Sequence, residues 1–239
     1  MAPENTIAAM RCGLARGFHA VEFDVMLSRD EVPILMHDPD LGRTVTGSGK
    51  VSDCSARELL AMDAGAWFGA EFAGETIPSF AQTVSFCKEN GIWMNIEIKP
   101  APGFDVPTGR IVGEAAAVMF AQEIAASEDH RNQVSLPLFS SFSFDALMAA
   151  KLAAPGIPRG YLADVIPPDW RAQLDALGAI ALHTNQKNLS EALARDIKDA
   201  GFGLFCYTVN DIDRARQIMA WGVDGFCTDR IDLIGPEFS

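Results

Sequence analysis

Apolar segments of strand length alternate with amphipathic segments of helix length along the whole chain of 239 residues. The candidate strands are residues 19–27, 92–99, 134–142, 159–163, 179–184, 203–209 and 225–228. The candidate helices lie near residues 5–16, 79–90, 108–127, 143–153, 168–177, 189–200 and 211–221. Because consecutive parallel strands must be joined by a long crossover, usually a helix, this alternation predicts a parallel sheet covered by helices.

Two segments interrupt the alternation. Residues 28–31 are too short for a helix, so we expect a turn that makes a hairpin of the segments FDVML and VPILMHD. Residues 39–78 are rich in glycine and acidic residues, and a connection of this length in a compact domain is usually functional. We therefore expect one domain over residues 1–239, with residues 39–78 as an insertion within it.

The number of strands is one short of a closed barrel. The length of the chain suits a single α/β barrel. Seven core strands and the hairpin arm are predicted, whereas a closed (β/α)8 barrel needs eight parallel strands. The sequence opens directly with a helix, for which Asn5 is the expected N-terminal cap.

The charge balance excludes several classes of partner. Nineteen Lys and Arg residues against 32 Asp and Glu residues give a net charge of −13. A chain this acidic repels polyanions, so we expect neither nucleic acid nor an anionic membrane surface as a partner. A small anionic substrate is still compatible with this charge if a bound cation reverses the field locally.

Cysteine content and hydropathy bear on the compartment. The five cysteines are odd in number and form no CxxC pair, which is typical of a reduced, intracellular protein. No apolar run reaches about 18 residues, so no membrane span is expected. The first residues lack the basic and apolar regions of a signal peptide, and we expect a cytoplasmic protein.

Two acidic side chains stand two residues apart on the first predicted strand. Glu22 and Asp24 therefore share one face of that strand, and apolar residues take the other face. Buried like charges are costly unless they are neutralised, and a divalent cation with oxygen ligands would neutralise them. A solvated strand end or a salt-bridged pair explains the same pattern, and both interpretations stay open at this point.

A second polar face follows in the segment NIEIK. Asn95, Glu97 and Lys99 alternate with isoleucines and share one face of the strand. One interpretation is a structural Glu–Lys pair; the other is a third metal carboxylate with a cation for phosphate oxygens. Three carboxylates from two strands, without a Cys/His cluster, favour Mg²⁺ or Ca²⁺ over Zn²⁺.

Two of the four histidines are candidates for the site. A hairpin centred near residue 30 brings His37 back opposite Asp24, beside the expected metal, where an imidazole suits general acid–base chemistry. The alternative for His37 is an ordinary loop histidine. His183 ends a predicted strand and is a candidate for lining the mouth of the pocket.

Short motifs across nearly the full length resemble those of the glycerophosphodiester phosphodiesterase family. They occur in the family's order: PENT (3–6), EFDVMLSRDEVPILMHDPDLGRT (22–44), TIPSF (76–80), NIEIK (95–99), SSFS (140–143), YTVN (207–210) and GVDGFCTD (222–229). The combination of E-x-D-V, H-D and E-I-K is far more specific than any one of these motifs alone.

The resemblance implies both a fold and a site. It implies an α/β fold, the TIM (β/α)8 barrel, here without its first strand. It implies that Glu22, Asp24 and Glu97 bind one divalent cation, Mg²⁺ or Ca²⁺. His37 matches the second of the family's two catalytic histidines, Lys99 matches the lysine that contacts phosphate, and the insertion matches the one that covers the glycerol side of the site.

The chain also departs from the family pattern. The family's first strand ends in His-Arg-Gly several residues before PENT, and that histidine and that arginine are absent here. Tyr207 stands where the family usually has a tryptophan, and we expect it to line the pocket. We expect that the natural chain starts upstream of Met1 and includes the His-Arg-Gly strand; the alternative is a degenerate, inactive member.

The expected function is metal-dependent hydrolysis of glycerophosphodiesters to glycerol 3-phosphate and an alcohol. The alternative is a catalytically impaired barrel that binds phosphodiesters, because the first catalytic histidine and the arginine are absent. In both cases the expected partner is a small glycerophosphodiester, and a homo-oligomer is compatible with the sequence.

Overall fold

A computed structural model of the chain describes residues 1–128 and 136–238. Its eight strands are β1 (Ala20–Leu27), β2 (Pro33–Leu35), β3 (Trp93–Ile98), β4 (Leu138–Ser141), β5 (Arg159–Ala163), β6 (Ala181–Asn185), β7 (Gly203–Tyr207) and β8 (Gly225–Phe226). The predicted seven strands and hairpin arm are all present, although the first two residues of the predicted strand 134–142 lie outside the described residues.

The strands form one sheet in the order β2-β1-β3-β4-β5-β6-β7-β8. All neighbours pair in parallel except β1 and β2, which form the predicted antiparallel hairpin. Within residues 1–128 and 136–238 no strand joins β8 to β1, so the sheet stays open between them. The predicted α/β barrel with one strand missing is confirmed.

Nine helices accompany these strands in the described part of the chain. They are α1 (Ile7–Leu14), α2 (Ala56–Leu59), α3 (Phe80–Glu89), α4 (Asp105–Met119), α5 (Ala121–Glu128), α6 (Phe144–Ala153), α7 (Trp170–Leu177), α8 (Glu191–Asp199) and α9 (Ile212–Ala220). The helix predicted near residues 108–127 is divided, because the backbone at Phe120 leaves the helical region. None of the helices described is both long and apolar enough to cross a bilayer.

Side chains on β1 and β3 alternate between two different environments. Phe23 and Val25 belong to the main hydrophobic cluster, which also contains buried residues of the covering helices. Glu22 and Asp24 take the opposite face of β1. The parallel register places Asp24 beside Glu97 of β3, so carboxylates of two neighbouring strands stand at the same level.

A second hydrophobic cluster lies beneath the segment between β2 and α3. Its buried members are Met26, Ile34, Met36, Val45, Val51, Leu59, Ala64 and Ile77. Met26 lies on β1 two residues after Asp24, which places this cluster next to the acidic part of the strand. The bounds 39–78 for an insertion within a single domain of 1–239 stay a prediction.

The start of α1 differs from the expectation. Thr6, not Asn5, is its N-terminal cap, because the Thr6 hydroxyl accepts a hydrogen bond from the backbone N–H of Ala9 at 3.2 Å. Asn5 precedes the cap and has a left-handed backbone with φ of 54°. Its side chain is therefore free to interact outside the helix.

Candidate active site

Three carboxylates of β1 and β3 converge. Asp24 and Glu97 lie near the C-terminal end of the parallel pairing of these strands, the end at which barrel enzymes place their active sites. One ligand oxygen from each of Glu22, Asp24 and Glu97 lies within 4.8 Å of the others. Asp24 and Glu97 are only 5% and 8% exposed. The three side chains that the sequence singled out as metal ligands are thus brought together.

Burial and mutual repulsion raise the pKa values of two of these carboxyl groups. The pKa of Glu22 lies well above its ordinary value because of burial, and the charges of Asp24 and Glu97 raise it further. Burial and the charge of Asp24 raise the pKa of Glu97 to about 7. Ionisation of these carboxyl groups therefore costs free energy, and a bound cation would reduce that cost.

Lys99 supplies one positive charge to the cluster. Its Nζ lies 3.0 Å from Asp24 Oδ1 and 3.6 Å from Glu97 Oε1. Burial lowers the pKa of Lys99, but the neighbouring carboxylates outweigh this effect and the pKa is raised overall. One lysine cannot neutralise all three carboxyl groups when they are ionised.

The donor set fits a hard divalent cation. All three candidate ligands are carboxylates, which are the ligands that Mg²⁺ and Ca²⁺ prefer. The Oε1 atom of Glu22 is buried without a hydrogen-bond partner among the described residues, which is costly for a carboxylate oxygen unless it coordinates an ion. These residues are suited to hold such an ion.

His37 lies one residue beyond the position opposite Asp24 in the hairpin. The register places Met36 opposite Asp24, and the N–H of Met36 donates to the Asp24 carbonyl oxygen at 3.2 Å. The prediction that His37 stands opposite Asp24 is therefore wrong by one residue. The physical reason is that a turn centred on residue 30 puts residues 24 and 36 at equal distances from its centre.

His37 is paired with the aspartate that follows it. Its Nδ1 lies 2.6 Å from Asp38 Oδ1, and Arg43 Nε donates to Asp38 Oδ2 at 2.5 Å. The hydrogen bond from Arg43 lowers the pKa of Asp38, which keeps this carboxylate charged. Since a charged carboxylate only accepts hydrogen bonds, Nδ1 of His37 is the donor and Nε2 is the atom left to exchange a proton.

The turn at Glu4 and Asn5 connects the carboxylate cluster of β1 and β3 with the segment that carries His37 and Arg43. The Arg43 guanidinium donates to both carboxylate oxygens of Glu4, at 2.8 and 2.6 Å. The amide of Asn5 is hydrogen-bonded to Asp24. The motifs PENT and HDPDLGRT pointed to these positions, but neither motif revealed that Glu4 contacts Arg43 or that Asn5 contacts Asp24.

A model of the glycerophosphoryl diester phosphodiesterase family matches residues 1–233 of the chain. The chain belongs to this family.

Relatives of this phosphodiesterase-family chain match it over nearly its whole length. A putative glycerophosphodiester phosphodiesterase of Bacillus subtilis is 31% identical over 241 residues, covering 98% of this chain and 91% of the relative. A glycerophosphodiester phosphodiesterase of Caldanaerobacter subterraneus is 30% identical over 233 residues, covering 95% of this chain and 88% of the relative. The structure of an Oleispira antarctica phosphodiesterase in complex with the product sn-glycerol-3-phosphate is similar to this chain with a TM-score of 0.85 and 35% sequence identity. The match covers 95% of this chain and 88% of that chain.

Tyr207 ends β7 of this family member on the active-site side. Its ring packs edge-on against Phe142 with centroids 5.7 Å apart, and its hydroxyl has no hydrogen-bond partner among the residues described. Burial raises the pKa of Tyr207, and the charges of Asp164 and Glu97 raise it further, so the phenol stays neutral. These neighbours place Tyr207 close to the acidic cluster.

His183 takes a different place from the one expected. The strand β6 continues to Asn185, because its last residues pair with the end of β7, and His183 is therefore its middle residue. It is 3% exposed and lies against Phe205 with ring centroids 4.9 Å apart. It lines an open pocket of about 460 Å³ at the N-terminal ends of the strands, together with Trp93 and Asn95, away from the expected mouth.

Proposed function

We propose that this family member hydrolyses glycerophosphodiesters to glycerol 3-phosphate and an alcohol, with one Mg²⁺ or Ca²⁺ held by Glu22, Asp24 and Glu97. The observation that carries the proposal is the convergence of three carboxylates, two of which are within 4 Å of the partly buried Lys99. The product bound by the Oleispira antarctica relative supports the substrate class.

The residues of the cluster divide into two proposed roles. The three carboxylates hold the cation, which supplies charge neutralisation at the phosphate and a lowered pKa of the attacking group. Lys99, which lies within the same cluster, binds a phosphate oxygen and stabilises the charge that develops there. Both roles serve an anionic substrate on a chain whose net charge of −13 would otherwise repel it.

His37 is the proposed proton-transfer group. Asp38 fixes the Nδ1 proton, and Arg43 in turn holds Asp38. The Nε2 atom then takes a proton from the nucleophile or gives one to the leaving alkoxide. The His37 side chain is half exposed, which suits exchange with a bound substrate and with water.

A second candidate function is phosphodiester binding without turnover. It is favoured by the positions of the other described histidines, since His19 is exposed at the N-terminal end of β1 and His183 is inside the barrel. His130 lies outside the described residues. Among residues 1–128 and 136–238, His37 is thus the one histidine that supports the proposed reaction, whereas the family pattern has two.

The experiment is an enzyme-coupled assay of glycerol 3-phosphate released from glycerophosphocholine. We expect turnover with added Mg²⁺ or Ca²⁺ and none with EDTA. His37→Ala should bind the cation but lose about 10²- to 10⁴-fold in rate, whereas the control His19→Ala, at an exposed position, should keep the wild-type rate. Cation and substrate binding with no release by the wild-type chain would support the binding barrel instead.

A further inference from the structure

Asn5 has a backbone conformation that side chains rarely adopt. In the described part of the chain, only Asn5 and Glu31 among non-glycine residues have positive φ, at 54° and 60°. The left-handed region is unfavourable for most L-residues, and asparagine is among the few that enter it. A residue held in this conformation is a candidate for a specific role, because the rest of the structure must maintain it.

The Asn5 side chain acts on Asp24 in the way that a strand neighbour would. Its Oδ1 accepts a hydrogen bond from the backbone N–H of Asp24 at 2.9 Å. Its Nδ2 donates to Asp24 Oδ2 at 2.8 Å. Pairing of β1 with β2 begins at Val25, so the amide of Asn5 continues the hydrogen bonding along that edge of β1 and also holds the carboxylate.

The two oxygens of Asp24 therefore have different surroundings. Oδ2 is held by Asn5, whereas Oδ1 faces Lys99 Nζ at 3.0 Å, on the side of the cluster where Glu97 also lies. We infer that Asn5 is a positioning residue of the cation site, which fixes the Asp24 carboxylate so that Oδ1 is presented to the cation. This inference rests on the proposed cation site.

The position of Asn5 is itself fixed by its neighbours in the chain. The buried Thr6 donates its hydroxyl to the carbonyl oxygen of Pro3 at 2.7 Å and caps α1. Glu75 accepts a hydrogen bond from the N–H of Ala8 at 2.9 Å and so joins the start of α1 to the segment before α3. Asn5 therefore stands on a braced turn, as orientation of a metal ligand requires.

The test compares Asn5→Gly with the wild-type chain by calorimetric titration with Mg²⁺ and with Ca²⁺. Glycine accepts the left-handed backbone but removes both hydrogen bonds to Asp24. We expect the dissociation constant to rise about 10- to 100-fold, the usual effect of removing a group that orients a metal ligand. The control Glu31→Gly changes the other left-handed residue, in the exposed hairpin turn, and should leave the constant unchanged.

The readouts separate positioning from a merely structural role. A structural role predicts that Asn5→Gly lowers the unfolding midpoint in EDTA and leaves the dissociation constant unchanged, and that result would overturn the inference. Asn5→Ser, whose side chain is shorter, gives the same test if Asn5→Gly fails to fold. A folded wild-type chain that binds neither ion would overturn the proposed cation site, and with it the role of Asn5.

Discussion

At the scale of single residues, His183 shows how the barrel interior treats a titratable group. Its imidazole is enclosed next to Phe205, and its Nδ1 has no hydrogen-bond partner among the described residues. Burial lowers the pKa of His183 to about 3, so the ring is neutral near pH 7. Protonation of this ring in the folded state is therefore strongly unfavourable.

The lowered pKa of His183 predicts a loss of stability in mild acid. Between pH 6.5, near the pKa of an unfolded histidine, and pH 3 the unfolded chain binds the extra proton, so stability falls as the pH falls. At pH 5.5 the loss is about 1.4 kcal/mol. Urea unfolding of the wild type and of His183→Gln should show their difference in unfolding free energy shrinking from pH 7.5 to 5.5. A difference in unfolding free energy that stays the same at both pH values would contradict the lowered pKa of His183.

At the scale of elements, the contact between α4 and α6 depends on two glycines. A Cβ atom on Gly109 would overlap the backbone carbonyl group of Ala146, and one on Gly113 would lie 2.8 Å from the Cβ of Ala153. Both glycines are buried within α4, where glycine otherwise lowers helix stability. They are explained by the close approach of the two helices.

Alanine at these two positions should therefore destabilise the fold although it favours the isolated helix. We expect Gly109→Ala to cost about 1–3 kcal/mol, because the backbones of α4 and α6 must separate. Val118→Ala, at a position of α4 that is 79% exposed, is the control and should change little. Thermal unfolding measures both, and a stabilised Gly109→Ala would show that the helices are not tightly packed there.

The elements also show what the sequence could predict. The period of two placed Glu22 and Asp24 on one face of β1, and Glu97 and Lys99 on one face of β3. The family resemblance added that the three carboxylates share one site. The pairing of Glu4 with Arg43 could not be predicted, because the two are 39 residues apart and meet only through the path of the segment after β2. His37 was misplaced by one residue although the turn was centred correctly, because a turn centred on residue 30 pairs residue 24 with residue 36.

At the scale of the whole molecule, the open barrel brings polar and charged groups from separate parts of the chain to the same side of the sheet. β1 and β3 supply the carboxylates, the hairpin supplies His37, and the turn before α1 supplies Asn5. The main hydrophobic cluster fixes the strands, and the second cluster fixes the segment that carries Arg43. The proposed chemistry depends on all of these parts holding one geometry.

The most direct test of this account is a crystal structure of the chain grown with Ca²⁺. The account predicts one Ca²⁺ at about 2.3–2.6 Å from an oxygen of each of Glu22, Asp24 and Glu97, with the remaining positions filled by water or phosphate oxygens. A Ca²⁺ ion bound elsewhere, or the three carboxylates turned away from one another in a folded chain, would contradict it.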